Sequence, residues 1–230
     1  MNATEQLTLP FEHRPSLSGE DFLVAPCNAE AVAWIDKWPE WPSPLLILHG
    51  APACGKTHLS QVFMEWTNGR LLDATTLRIL DPVTLFEQSR ACVVEDLDVL
   101  SDTIREETLF HLYNAAMQGN GTIMMTARIP AKEWSFTLPD LRSRLLAAPS
   151  VEIGVPDDDL VAAVLVKLFA DRQLTVDVAV ISYVVTHMER SFEAVRRLVD
   201  AVDAKALQDH RRITVPLVKE VMATQQGLRP

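Results

Sequence analysis

One short segment limits what this chain can fold into more than any other feature. Residues 50–57 read Gly-Ala-Pro-Ala-Cys-Gly-Lys-Thr and match the pattern G-x-x-x-x-G-K-[ST]. The apolar run LLILH at 45–49 precedes the segment and an amphipathic stretch at 56–66 follows it, which predicts a strand, a loop and a helix. In such a unit, backbone N–H groups and the helix amino terminus converge on an anion. The segment therefore predicts a phosphate-binding loop at the head of an α/β domain.

The residue types in this loop predict what it binds and how. Lys56 is expected to reach the β and γ phosphates of a purine nucleotide, and the Thr57 hydroxyl to ligate Mg²⁺. ADP or ATP with Mg²⁺ is the predicted cofactor, and the sequence does not decide between the two nucleotides. Cys54 is interpreted as a passive filler of the loop rather than a nucleophile. The candidate nucleotide-binding residues of the loop and helix start are Gly50, Ala51, Pro52, Ala53, Cys54, Gly55, Lys56, Thr57 and His58.

Two adjacent carboxylates follow another apolar run. Glu95 and Asp96 come directly after the predicted strand at 91–95, where a P-loop fold carries acidic residues. One carboxylate can orient Mg²⁺ and its water shell, and the other can polarise an attacking water. Glu95 is the candidate metal residue and Asp96 the candidate catalytic residue. The metal-orienting residue is usually an aspartate, so the division of roles between them stays open.

Periodicity divides the chain into a tail at 1–19, an α/β domain at 20–155 and a helical domain at 156–230. Short apolar strands alternating with helices predict a parallel sheet covered on both faces. The predicted strands are 45–49, 69–73, 91–95, 121–126 and 150–155. The predicted helices of the last domain are 157–171, 175–187, 191–209 and 214–225.

Composition narrows the function classes. The net charge of −10 disfavours a protein whose main task is to coat duplex DNA, because such binding depends on Lys and Arg neutralising phosphates. The 3 cysteines fit no zinc or disulfide pattern, which favours a reducing compartment. No apolar run is long enough to span a bilayer, and the amino terminus lacks the features of a secretory signal. A cytoplasmic protein that does not act at a membrane is expected.

Five further stretches carry a resemblance to a known family: DFLV at 21–24, REETLFHLYN at 105–114, TARIP at 126–130, LPDLRSR at 138–144 and ITVPLVKE at 213–220. Together they resemble the AAA+ module of the DnaA family of bacterial replication initiators and, more closely, its short Hda-type regulators. The resemblance covers nearly the whole chain. It implies a five-stranded parallel AAA+ P-loop NTPase domain followed by a small all-helical lid domain.

The resemblance also assigns residues outside the loop. Phe22, Val24 and Asn28 match the adenine-side segment, and Arg144 matches the arginine finger that reaches a neighbouring subunit's nucleotide. Taken as an exposed arginine, Arg144 is expected to contribute less than about 0.5 kcal/mol to stability. The second-sensor arginine of the lid aligns with Glu193, and Arg196 is the candidate substitute one turn further along the helix. Nucleotide binding is still expected despite this departure, and the chain's own ATPase activity is expected to be weak or dependent on a partner.

The amino-terminal tail resembles a motif with which bacterial proteins dock on the replicative sliding clamp. Its candidate partner-binding residues are Gln6, Leu7, Leu9, Pro10 and Phe11. Leu9 and Phe11 are expected to enter an apolar pocket while Gln6 makes hydrogen bonds, so that few residues provide most of the affinity.

Three classes of function compete at this stage. The resemblance favours a nucleotide-bound regulator of chromosomal replication initiation, which docks on the DNA-loaded clamp and stimulates ATP hydrolysis by the initiator DnaA, so preventing re-initiation. A stand-alone AAA+ ATPase or loader acting on DNA or a helicase is the alternative. A P-loop kinase is disfavoured because the helical lid is a separate carboxyl-terminal unit. The expected partners are the clamp and DnaA, DNA is contacted only indirectly, and homo-oligomers are left open.

Overall fold

The computed structural model describes residues 13–14, 22–100 and 104–227. The chain divides into two compact units between Gly154 and Val155. The tail residues expected to contact a partner, Gln6, Leu7, Leu9, Pro10 and Phe11, lie outside the described residues.

The first unit is an α/β domain. Its strands are β1 (His13–Arg14), β2 (Phe22–Leu23), β3 (Leu45–His49), β4 (Arg70–Leu71), β5 (Ala91–Val94), β6 (Thr122–Ala127) and β7 (Ser150–Glu152). Its α-helices are α1 (Ala29–Asp36), α2 (Lys56–Thr67), α3 (Ala74–Ile79), α4 (Pro82–Gln88), α5 (Leu97–Leu100), α6 (Glu106–Gly119) and α7 (Pro139–Ala147). A 3-10 turn at Ala131–Glu133 follows β6.

Five strands form one parallel sheet in the order β4-β5-β6-β3-β7, which confirms the predicted architecture. After β3 the chain crosses to β4 at the far edge, while β7 is added on the other side of β3. The carboxyl end of β3 is therefore a topological switch point, where ligands of open α/β sheets bind. Parallel strands bring their carboxyl ends to one edge, so the loop after β3 and the acids after β5 share that edge.

The sheet is buried because both of its faces carry apolar side chains. Along β3, Leu45 and Ile47 belong to one core cluster, while Leu46 and Leu48 belong to the other. This alternation is the period of two that a strand imposes. The first cluster includes residues of α4, α6 and α7, and the second includes residues of α1 and α2. Helices on both faces hold the carboxyl edge, and the loops it carries, in place.

Strand β4 is shorter than the predicted 69–73. It contains only Arg70–Leu71, both exposed at the edge of the sheet. Asp73 ends the extended segment, since its side chain accepts a hydrogen bond of 2.7 Å from the backbone N–H of Thr76 and caps α3. The last residue of the predicted strand is therefore the N-cap of α3 instead.

The second unit is helical, which confirms the predicted lid domain. Its helices are α8 (Asp158–Asp171), α9 (Val178–His187), α10 (Phe192–Gln208) and α11 (Val215–Gly227). Asp157, Asp177 and Ser191 cap three of them by accepting backbone N–H groups through their side chains. The cap at Asp177 explains why α9 begins later than predicted. Among the described residues, no helix is long and apolar enough to cross a membrane.

Candidate functional site

The backbone of the loop between β3 and α2 requires small residues at defined points. A Cβ at Gly50 would lie 2.3 Å from the carbonyl oxygen of Ile153, so any side chain there collides with the backbone after β7. Gly55 has a φ of 108° and Ala53 a φ of 59°, both in the left-handed region. These positions turn the loop tightly into α2, as a phosphate-binding loop requires.

Lys56 is the buried cation of the site. The residue is only 6% exposed, and its Nζ donates to the carbonyl oxygens of Gly50 at 2.8 Å and Ala51 at 2.9 Å. The loop thus holds the ammonium over its own backbone, at the amino terminus of α2. An anion at this point would meet a positive charge and the positive end of a helix dipole together. The arrangement fits a nucleotide's phosphates.

Cys54 lies inside the loop with its sulfur 3.8 Å from the Nζ of Lys56. Burial raises the pKa of the Cys54 thiol, and the positive charge of Lys56 opposes that rise only in part. The thiol is therefore neutral at physiological pH and a poor nucleophile. Its buried position supports the interpretation of Cys54 as a filler of the loop.

The two carboxylates after β5 differ in their surroundings. Glu95 Oε1 is buried and has no hydrogen-bond partner within the described residues. Asp96 is exposed and has a φ of 49°, and its N–H donates to the hydroxyl of Thr126 at 3.1 Å. The neighbouring strand β6 therefore fixes the turn that separates the two carboxylates.

The oxygen-bearing side chains near the loop suit Mg²⁺ only together with the phosphates of a bound nucleotide. No group of three or more His, Cys, Asp or Glu residues that could hold a metal occurs in the described part of the chain. Mg²⁺ is commonly held by one or two protein oxygens together with substrate phosphates and water. The residues that could contribute are Thr57, at the exposed start of α2, and Glu95, whose buried oxygen has no partner in the described part of the chain.

Two histidines adjoin the loop. His49 ends β3, where it pairs with Ala127 of β6 and Glu152 of β7 in the strand register. Burial lowers the pKa of His49, while the charges of Glu152 and Glu133 raise it less. A neutral imidazole at the end of a strand fits a structural residue. His58 is half-buried in the first turn of α2.

The predicted adenine-side segment lies beside the loop. The N–H of Gly154 donates to the carbonyl of Cys27 at 2.9 Å, and the adjacent Ile153 is the residue that contacts Gly50. Asn28 is buried, and its side chain accepts from the N–H of Ala25 at 2.9 Å and donates to the carbonyl of Leu23 at 3.1 Å. The side chain of Asn28 therefore stabilises this segment by hydrogen bonds to the segment's backbone.

The other two predicted residues of the segment, Val24 and Phe22, lie directly after β2 and at its start. Val24 is half-buried directly after β2. Phe22 begins β2, which pairs with β1 through the register of Phe22 with Arg14.

Arg144 lies on α7 and is half-buried, so it is not the exposed arginine that the sequence predicts. Its guanidinium carbon is 4.4 Å from the ring centroid of Phe110 and 4.9 Å from that of Tyr113. Nη1 also donates to Oδ1 of Asn114. Sequence reasoning missed these contacts, although residues 110, 113 and 114 have the spacing that places them on one face of α6.

In the lid, the position aligned with the second sensor is occupied by an ion pair. Glu193 lies 3.2 Å from Arg197, and both side chains are more than half exposed. Arg196, the candidate substitute, is exposed on the same helix, α10. Its contact with a nucleotide stays a prediction.

Comparisons with known proteins agree with this fold. Residues 157–222 match the family model described as "Hda, lid domain". The chromosomal replication initiator protein DnaA of Campylobacter concisus is 27% identical over 221 residues, which cover 89% of this chain and 50% of that protein. An uncharacterized protein of Haemophilus influenzae is 24% identical over 192 residues, covering 78% of this chain and 81% of that protein. The chain spans about half the length of the DnaA relatives it matches.

Solved structures show the same architecture. Domain III of DnaA from Thermotoga maritima superimposes with a TM-score of 0.74 at 15% identity, covering 88% of this chain and 94% of that domain. AMPPCP-bound DnaA from Aquifex aeolicus gives a TM-score of 0.71 at 16% identity, covering 90% of this chain and 68% of that one.

The parallel sheet, the loop at its switch point and the helical unit that follows define an AAA+ P-loop protein. Within that class, residues 157–222 match the Hda lid model, and the chain is similar to DnaA proteins over most of its own length. These likenesses support a DnaA/Hda-type AAA+ protein.

Proposed function

We propose that this protein is a nucleotide-bound regulator of chromosomal replication initiation. It docks on the DNA-loaded sliding clamp through its tail and presents Arg144 to ATP held by the initiator DnaA, whose hydrolysis prevents re-initiation. The observation that carries the proposal is an Hda-type lid at 157–222 on the same chain as a complete P-loop. In this function the protein is cytoplasmic and meets DNA only through its partners.

Its own nucleotide, ADP or ATP, binds at the loop from Gly50 to Thr57. Lys56 exchanges its loop carbonyls for phosphate oxygens, and the backbone N–H groups at the start of α2 complete the phosphate site. Thr57 and Glu95 hold Mg²⁺, which neutralises phosphate charge when bound. The segment from Phe22 to Asn28, which lies beside the loop, borders the base.

Arg144 acts on the partner's nucleotide. In that reaction water attacks the γ-phosphorus, the bond from this phosphorus to the β–γ bridging oxygen breaks, and ADP and inorganic phosphate result. Negative charge spreads over the phosphoryl oxygens in the transition state, and a guanidinium supplied from a neighbouring protein stabilises it. A finger supplied in this way accelerates hydrolysis by roughly 10³–10⁵-fold.

The alternative function is a stand-alone ATPase or loader. Glu95 and Asp96, at the same sheet edge as the loop, supply the acids that hydrolysis within this chain would need. Glu193 weighs against it, because a carboxylate at the second-sensor position would repel the phosphates and supplies no positive charge.

A single assay separates the two functions. Initiator bound to labelled ATP is mixed with DNA-loaded clamp and this protein, and ADP formation is followed over time. The proposal expects the intact protein to accelerate hydrolysis and Arg144→Ala to abolish the acceleration, with Arg142→Ala, an exposed neighbour on α7, as the matched control. Equal stimulation by Arg144→Ala would remove the chemical basis of the proposal. Rapid hydrolysis by this protein alone, without stimulation of the initiator, would support the stand-alone ATPase.

A further inference from the structure

Helix α2 contains a buried hydroxyl that its own helix does not satisfy. Ser60 is completely buried, and its Oγ has no hydrogen-bond partner within the described residues. In a helix, a serine or threonine hydroxyl usually faces solvent or donates to the carbonyl four residues earlier. Thr67 of the same helix does the latter, since its Oγ1 donates to the carbonyl of Phe63 at 2.7 Å. Ser60 does neither, so its hydroxyl is available to a group outside α2.

The carboxylate of Glu95 has an unmet hydrogen bond of the complementary kind. Its Oε1 is buried and accepts no hydrogen bond in the described part of the chain. A buried polar atom without a partner costs free energy, and the cost is larger for a charged group. Glutamate is also one methylene longer than the aspartate that usually orients the metal, so its carboxylate extends further from the strand. Helix α2 thus offers a donor that lacks an acceptor, and the end of β5 an acceptor that lacks a donor.

The fold brings these two groups to the same layer of the α/β unit. Helix α2 packs against β5, and Leu59 of α2 belongs to the same core cluster as Val93 of β5. Because side chains alternate along a strand, Glu95 follows Val93 on the side of the sheet that α2 covers. Ser60 lies on the buried side of α2, one turn after Lys56, and α2 begins at the sheet edge where β5 ends. Both groups therefore face the layer between the first turns of α2 and the carboxyl end of β5.

We infer that Ser60 is a positioning residue for Glu95. A shared buried water joins the Ser60 hydroxyl to the buried oxygen of Glu95 and orients the carboxylate toward the Mg²⁺ of a bound nucleotide. Buried waters typically bond polar groups that otherwise have no partner, and residues that hold a metal ligand in place typically change metal affinity by about 10-fold to 100-fold. The inference rests on the nucleotide and Mg²⁺ site of the proposed function and adds to it a residue that does not itself contact the metal.

The experiment measures ADP binding by isothermal titration calorimetry, once with Mg²⁺ and once with EDTA. The ratio of the two affinities reports the contribution of the metal and does not depend on hydrolysis. Ser60→Ala removes the hydroxyl with little change in volume, and Ser60→Thr keeps it. Gln61→Ala, at the neighbouring exposed position of α2, is the control for the helix. Glu95→Ala gives the ratio without the carboxylate.

The expected result is a loss that appears only when the metal is present. Ser60→Ala should lower the gain in ADP affinity that Mg²⁺ provides by about 10-fold, while the affinity in EDTA changes by less than about twofold. Ser60→Thr and Gln61→Ala should match the intact protein under both conditions. In a Glu95→Ala background, Ser60→Ala should have no further effect, since both changes act through one carboxylate.

The outcomes distinguish this inference from the proposed function. If ADP does not bind, or binds the intact protein equally in Mg²⁺ and EDTA, the proposed nucleotide and metal site fails and the inference fails with it. If Mg²⁺ strengthens binding to the intact protein and to Ser60→Ala alike, the metal site is real and the positioning role is wrong. Equal weakening of Ser60→Ala in Mg²⁺ and EDTA would also overturn the inference, because it would mean that Ser60 only supports the fold of the loop.

Urea unfolding of the protein without nucleotide checks the same relationship. If the Ser60 hydroxyl is joined to Glu95, Ser60→Ala leaves a buried carboxylate oxygen without a partner and should lower the urea midpoint. In a Glu95→Ala background, this loss should disappear. If the hydroxyl instead bonds nothing, Ser60→Ala removes an unsatisfied polar group and places a better helix former in α2, so the midpoint should rise. A higher midpoint for Ser60→Ala in the otherwise intact protein would therefore overturn the inference.

Discussion

The ammonium of Lys56 donates to the backbone carbonyl of Gly50, 2.8 Å away, across the loop that these two residues delimit. A charged hydrogen bond at a buried site is costly to leave unmade, so Lys56 needs either this carbonyl or a phosphate oxygen as its partner. The loop therefore holds its cation in the region where a nucleotide's phosphates would bind. The loop's own backbone therefore already holds the Lys56 ammonium in place for a phosphate group.

Replacing Lys56 tests the site directly. Lys56→Ala should weaken the binding of both ADP and ATP by at least tenfold, or about 1.4 kcal/mol, because it removes the main side-chain charge on the phosphates. Isothermal titration calorimetry measures the effect, with Lys37→Ala, at an exposed lysine of the same unit, as the control. Unchanged affinity in Lys56→Ala would refute the assignment of the loop.

Gly50→Ala should destabilise the α/β unit. The added Cβ would lie 2.3 Å from the carbonyl oxygen of Ile153, so the backbone on one side must move. We expect a loss of more than about 2 kcal/mol, as for other changes that force backbone strain. Urea unfolding measures it. Gly119→Ala, where the nearest atom to the new Cβ is 3.2 Å away, should cost much less, and equal losses would contradict the predicted collision.

Arg144→Ala should cost more stability than an exposed arginine does. The sequence alone predicts less than about 0.5 kcal/mol. The contacts with Phe110, Tyr113 and Asn114 raise the expectation to about 1–2 kcal/mol, the sum of a cation–π contact and a hydrogen bond. Urea unfolding should show this loss for Arg144→Ala and a change within about 0.5 kcal/mol for Arg142→Ala. Equal stabilities of the two variants would indicate that the contacts are not maintained in solution.

The cysteines should differ in their reactivity with iodoacetamide. Burial raises the pKa of both Cys54 and Cys92, and the rise is large for the completely buried Cys92. Because a raised pKa keeps a thiol protonated until higher pH, neither forms much thiolate at pH 8. Peptide mass spectrometry should find the half-buried Cys27 modified first, Cys54 later and Cys92 only after unfolding. Modification of Cys54 before Cys27 would show an activated thiol in the loop.

The tail should account for clamp binding. Deleting residues 6–11, or combining Leu9→Ala with Phe11→Ala, should abolish binding to the isolated clamp in a pull-down or by surface plasmon resonance, because few apolar anchors provide most of the affinity of such peptides. Lys56→Ala should reduce binding only in part. Binding that persists without residues 6–11 would locate the contact elsewhere on the chain.

The sequence by itself determined the phosphate-binding loop, the parallel sheet and the helical lid. These features depend on local patterns: glycines at the turns of residues 50–57, apolar strands such as 45–49, and the helical period after residue 156. Local patterns report what a segment prefers, and here the tertiary structure agreed with them. The two edge strands were exceptions, because the strands predicted at 69–73 and 150–155 contain only Arg70–Leu71 and Ser150–Glu152. At the first of them, a helix cap at Asp73 replaced the end of the strand.

Only the tertiary structure decided how the separate segments act together. Asn28 proved to form hydrogen bonds within its own segment, and Arg144 to pack against α6. Glu95 proved to bury an oxygen that has no hydrogen-bond partner among the described residues. These relationships join residues that are distant in the chain, and composition or spacing does not report such contacts. The packing of α7 on α6 gives Arg144 its orientation, because the two aromatic rings and the amide that surround it lie thirty or more positions earlier in the sequence.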